Sequence, residues 1–173
     1  MTSEAAAQQL CVTCGLCCNG VIFRDVELRT EDDAARLRSL GLPVRKGRTK
    51  TRFAQPCAAL ECSFCRIYPE RPAYCREFEC ALLKSTIAGN TEPAAALRII
   101  RTTHKRAAKV LRLLRELGNN EEQLPLSKRF RQVTRAMEMG EISGEMAGTY
   151  GDLTIAVHEL NLLLSSAFYP GSE

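Results

Sequence analysis

The chain has 173 residues, 45% of them hydrophobic, a formal net charge of +4 and nine cysteines. That length suits one domain, or a small module with an extension, and the composition can supply a modest apolar core. The mild charge argues against a dedicated nucleic-acid binder, and no run approaches the ~20 apolar residues of a membrane-spanning helix.

The opening "MTSEAAAQQL" has neither a basic start nor an apolar run, so a secretory leader is not expected and the protein reads as cytoplasmic. In a reducing compartment, clustered cysteines are metal ligands or catalytic thiols more often than disulfides. "CVTCGLCC", residues 11–18, then places four of them in eight positions. Cys11, Cys14 and Cys17 form C-x2-C-x2-C, a spacing that winds successive thiolates around one centre and serves both cubane iron–sulfur clusters and, through its C-x2-C pairs, tetrahedral zinc. The adjacent Cys17 and Cys18 cannot easily close on the same ion, so one of the two is expected to reach a second metal or bridge two. Gly15 lets backbone amides approach the sulfurs.

"GVIFRDVELR" (20–29) has the β-branched and aromatic content of a strand. Thr30, followed by "EDD", reads as the N-cap of a short helix through Leu40, with Gly41 and Pro43 as its stop. "RKGRTKTRFA" is a basic loop running into a second strand that delivers Cys57. It has no aromatic before Phe53 to stack a base, so a solvated loop is the simpler reading.

A helix is predicted from about Arg71 to Ile87, with Pro69 and Pro72 at its start and Gly89 beyond its end. On an unbroken helix Cys75 and Cys80 would stand about 140° apart around the axis, and could not face one centre unless the helix frays between them. Arg66, Arg71 and Arg76 alternate with these cysteines and suit an anionic thiolate centre. Tyr68 with Pro69, Arg71 and Pro72 fixes a turn that orients Cys65 and Cys75.

Past Cys80 no cysteine occurs, and the pattern becomes plainly helical. Thr91 is the expected cap of a helix presenting Ala96, Ile100, Thr103, Ala107, Val110, Leu114 and Leu117, closed by "GNN". A second, about Leu126 to Met139, presents Leu126, Phe130, Val133 and Met137. A third, about Gly144 to Phe168, presents Met146, Tyr150, Leu153, Val157, Leu160 and Leu164. These stripes should pack together or against the cysteine module. His104 and His158 read as surface or half-buried side chains.

The expected fold is α+β: a cysteine-rich, metal-stapled module over residues 1–88 and a mostly helical segment over 89–173 packing on it. Few large apolar side chains occupy the module, so metal ligation should be coupled to its folding.

The ordered series C-x2-C-G-x-C-C, P-C-x2-L, C-x-I-Y-x2-R-P and C-R-x-F-x-C, spread over roughly residues 10 to 85, resembles the cysteine-cluster family called YkgJ or CxxCxxCC, a zinc- or iron-chelating domain. The resemblance implies metal ligation by Cys11, Cys14, Cys17, Cys18, Cys57, Cys65, Cys75 and Cys80, and leaves Cys62 without a counterpart. It implies no reaction. A related group of longer proteins is associated with flagellin lysine methylation, but this chain shows no glycine-rich loop for a methyl donor.

Three functional classes follow. The first is a protein carrying an iron–sulfur cluster, iron or a multinuclear metal site, in a redox, sensing or metal-handling role. The second is a zinc-stapled module that binds a protein or RNA partner. The third is a cluster-dependent modifying enzyme, for which no separate substrate pocket or catalytic set is evident. The C-x2-C-x2-C spacing and the surplus of ligands favour the first.

Overall fold

The structure is a computed structural model describing residues 10–169. The reading of the chain's opening as leaderless lies outside the described residues. The fold is α+β, as expected, with its strands confined to the cysteine-rich part and long helices after it.

Residues 10–14 are helical (α1). The strands are β1 (Asp25–Glu27), β2 (Arg45–Lys46), β3 (Thr51–Ala54), β4 (Leu60–Glu61) and β5 (Phe64–Cys65). The first three form an antiparallel sheet of order β1-β3-β2, and β4 and β5 form a hairpin. Val26 lies opposite Phe53, and both are buried. With Leu28, Leu37, Leu42, Val44, Ala59 and Ile67 they form a small core. Of the basic residues around 45–52, Lys50 and Arg52 pair with Glu27 and Asp25 on β1, at 2.7 and 3.3 Å.

The short helix α2 (Ala34–Ser39) takes Asp33, not Thr30, as its N-cap: the Asp33 carboxylate accepts the Arg36 amide at 2.8 Å. Thr30 to Asp32 form a turn instead, in which Asp32 Oδ2 accepts the Arg29 amide at 2.8 Å. Its other oxygen accepts the Ala73 amide at 2.8 Å, so the acidic run ties two segments together. Gly41, at φ +90°, ends the helix as expected.

The single helix expected over 71–87 is two: α3 (Ala73–Glu77) and α4 (Ala81–Ile87). Phe78 (φ −70°, ψ 121°) leaves the helical region. Its ring meets Phe23 edge-on at 4.8 Å and stacks with Tyr74 at 6.4 Å. Aromatic pairs of this kind contribute about 0.5–1.5 kcal/mol beyond area burial, enough to override the helical preference of a short segment.

Three long helices follow: α5 (Pro93–Glu116), α6 (Leu126–Glu138) and α7 (Ala147–Ala167). The whole predicted stripe of α5 is buried, because 3-4 spacing keeps it on one face. Leu153, Val157, Leu160 and Leu164 of α7 and Leu126 and Val133 of α6 meet it in one core. Phe130, Met137, Met146 and Tyr150 are only partly buried at its rim. Thr91 does not cap α5; its hydroxyl pairs with that of Ser85 at 2.7 Å, and Glu92 holds the cap position.

Leu10, Leu16 and Leu82 from the cysteine-rich part belong to this same helical core, so the helices pack both with one another and on the module. Gly118 (φ +82°) closes α5. Arg129, 1% exposed, donates to the Asn119 side chain at 2.8 Å and to its carbonyl at 2.7 Å, satisfying the charge it buries. Among the described residues no helix is long and apolar enough to cross a membrane.

Candidate metal centre

α1 stops at Gly15, whose φ of +61° is accessible to glycine at little steric cost. A Cβ there would stand 3.3 Å from Ser63 Cα. Glycine therefore serves a close approach of the β4–β5 turn, a reason the spacing had not suggested. The amides of Cys18 and Asn19 both reach back to the Gly15 carbonyl, at 2.9 and 3.0 Å. This tight turn places Cys17 and Cys18 after a fully buried Leu16, which anchors the run in the helical core.

Cys57 arrives from β3 through a cis Gln55–Pro56 bond, and its amide donates to the Cys18 carbonyl at 2.7 Å. Cys65 sits on β5 opposite Leu60. Cys75 lies on α3 and Cys80 at the N-cap of α4. The break at Phe78 puts the two on different helices, so the roughly 140° separation of an unbroken helix does not apply. Cys62 stands exposed at the hairpin turn with φ +56°.

All nine thiols are unbridged. Burial is the main influence on those whose titration is displaced. It pushes Cys14, Cys18 and Cys75 up to about 12, and raises Cys11, Cys17, Cys57 and Cys80 as well. Neighbouring thiolates add to the burial. Those acting on Cys14 are Cys80, Cys11 and Cys18; those on Cys17 are Cys14, Cys80, Cys18 and Cys11. Cys75 responds to Cys18, Cys57 and Cys65, and Cys18 to Cys57, Cys65 and, more weakly, Cys11.

Opposing influences come from backbone amides: Leu16 on Cys14, Ala59 and Leu60 on Cys57, Leu83 and Leu82 on Cys80. Such N–H donors stabilise thiolate and tune bound metal. Arg71 also lowers Cys11, Cys18 and Cys75. Its guanidinium lies 3.6 Å over the Tyr68 ring and donates to the Tyr68 and Cys75 carbonyls at 3.0 and 3.4 Å. The Tyr68–Pro72 turn thus holds a cation among the thiols. Arg66 lowers Cys57, whereas Arg76 bonds the Arg71 carbonyl.

A cavity of about 90 Å³ opens among Cys11, Cys18, Cys57, Cys65 and Cys75, where one water needs only about 10–15 Å³ of such space. Gln55, 1% exposed, lines it. Its Oε1 is a buried side-chain oxygen without a hydrogen-bond partner. The sequence pattern did not single out Gln55. His104 is half-buried, within the surface-or-half-buried reading, and its Nε2 donates to the Cys14 carbonyl at 2.7 Å, a bond the pattern did not suggest. His158 is exposed.

As the side chains stand, no group of three or more His, Cys, Asp or Glu among the described residues is arranged around one point to hold an ion. The donor chemistry nonetheless fits a thiophilic metal: eight reduced thiols with amide donors and a cation beside them. A cysteine has a single side-chain torsion to its sulfur, so each thiol can be re-aimed by a change of rotamer.

Residues 10–107 match the family model CxxCxxCC, described as "Putative zinc- or iron-chelating domain". The match runs beyond the cysteine motifs into α5, to where His104 and Ala107 pack on the module. No curated protein and no solved structure matches the chain.

Proposed function

Since the chain belongs to the CxxCxxCC family of zinc- or iron-chelating domains, we propose that Cys11, Cys14, Cys17, Cys18, Cys57, Cys65, Cys75 and Cys80 hold thiolate-bound iron, as iron–sulfur, in a redox, sensing or metal-handling role. The observation that carries this reading is the single cavity lined by unbridged thiols from α1, the turn after it, the β3–β4 connection, β5 and α3. The C-x2-C-x2-C run, with amides aimed at Cys14 and Cys80, supports iron–sulfur ligation. When bound, such a centre supplies one-electron chemistry. The chain's own residues bind it, shield it and set its field. The working division is a metal module over residues 1–88 and a helical segment over 89–173.

A second reading, a zinc-stapled module that binds a protein partner, is favoured by one feature. Cys14 and Cys80 pack on the helical core, and Cys57, Cys65 and Cys75 on the small core, so the ligands also act as joints of the fold. Anaerobic purification of the full chain, with metal and acid-labile sulfide analysis and a visible spectrum, separates the two. Iron, sulfide and a bleachable chromophore are expected. Colourless, zinc-bound protein would overturn the iron reading, and protein that takes up neither metal would overturn both.

A further inference from the structure

We infer that the eight cysteines build two separate tetrathiolate metal sites, Cys11, Cys14, Cys17 and Cys80 in one and Cys18, Cys57, Cys65 and Cys75 in the other, with adjacent Cys17 and Cys18 divided between them. The inference rests on the metal-chelating reading above and deepens it.

Packing sorts the thiols first. Cys14 and Cys80 lie against the helical core, whereas Cys57, Cys65 and Cys75 lie against the core of the sheet. The backbone sorts them the same way. Cys18 is bonded to Cys57 through its carbonyl, and the break at Phe78 detaches Cys80 from the helix that carries Cys75. The cavity is lined by Cys18, Cys57, Cys65 and Cys75, with Cys11 also lining it, and not by Cys14, Cys17 or Cys80.

Coordination chemistry suits a division of this kind. A tetrahedral thiophilic ion takes four ligands, and a cubane cluster also takes four cysteines. Eight ligands are therefore two complete sets. In two-cluster ferredoxins the last cysteine of the ligand run serves the other cluster; here Cys18 would do so, with remote Cys80 completing the first set. At the second site the unpartnered Gln55 Oε1 is an independent sign of a ligand. A carboxamide can turn its NH2 group toward the sulfurs, where it would donate to metal-bound thiolate.

Each divalent ion bound forms four metal–sulfur bonds and releases four thiol protons to solvent, leaving a dianionic site. Arg71, which lines the cavity beside Cys11 of one set and Cys18 and Cys75 of the other, offsets the charge of both.

The test is cobalt(II) titration of the full reduced chain under anaerobic conditions, read by thiolate charge-transfer and ligand-field bands. Saturation at two equivalents is expected, and Cys62→Ser should leave it unchanged. Cys17→Ser should alter the spectrum of one ion and Cys18→Ser that of the other. Cadmium-113 NMR of the unaltered chain needs no variant and should give two all-sulfur resonances. Saturation at one equivalent, a single resonance, or both substitutions perturbing the same ion would overturn the two-site assignment while leaving metal chelation intact. No uptake of either ion would overturn the chelating reading itself.

Discussion

The two cores of this molecule are built from different materials. The helical core draws on at least eighteen buried side chains from helices whose apolar stripes recur every three or four residues. The core of the sheet has eight, three of them no larger than valine at Val26, Val44 and Ala59, around strands of two to four residues. Burying a large aliphatic side chain contributes about 1.5–3 kcal/mol, so the first region can hold itself together by area. The second cannot do so with the same margin, and its rim is made of Cys57, Cys65 and Cys75. Where apolar burial runs short, metal–sulfur bonds are the available substitute.

The largest effect that would break or sharpen this contrast is metal removal. Structural metal ligation is worth on the order of 10 kcal/mol. Chelation should therefore lower amide-exchange protection in β1 and β3 much more than in α5 and α7. Equal loss in both regions would mean that the cores are one cooperative unit.

Leu114→Ala, at a fully buried position in α5, should cost about 2–5 kcal/mol in denaturant unfolding. It should leave metal stoichiometry unchanged. A smaller effect, about 0.5–1.5 kcal/mol, is expected for His104→Ala, which removes the bond to the Cys14 carbonyl.

Opposite pH responses are expected of the two states. Thiols raised by burial to about 12 at Cys14, Cys18 and Cys75, from an ordinary 9.0, favour the folded metal-free chain while they stay protonated. That contribution is complete below about 9 and is lost as pH climbs toward 12. Metal binding displaces the same protons, so it strengthens as pH rises and weakens in acid. Parallel melts from pH 6 to pH 10, with and without bound metal, should show roughly flat or falling stability for the metal-free chain and rising stability for the loaded one. Smallest of all, Lys50→Ala should change stability by less than about 1 kcal/mol, because its pair with Glu27 is exposed.

The contrast also explains what could be read from residues alone. The α5 stripe was legible to the last position because burial imposes a period on sequence. The cysteine motifs of the family were legible because their spacing is local. The helix break at Phe78 was not, since it depends on Phe23, far away in the chain. The cap at Glu92 escaped for a related reason: Thr91 is engaged elsewhere, with Ser85. Gln55 carries no periodic or motif signal, and only the cavity gives it meaning.

Differential alkylation of the native chain, read by mass spectrometry before and after a chelator, tests the central claim most directly. Cys62, exposed at its turn, should react at once in the metal-loaded protein, and the other eight cysteines only after the metal is withdrawn. Reaction of those eight at a rate the chelator does not change would contradict the account.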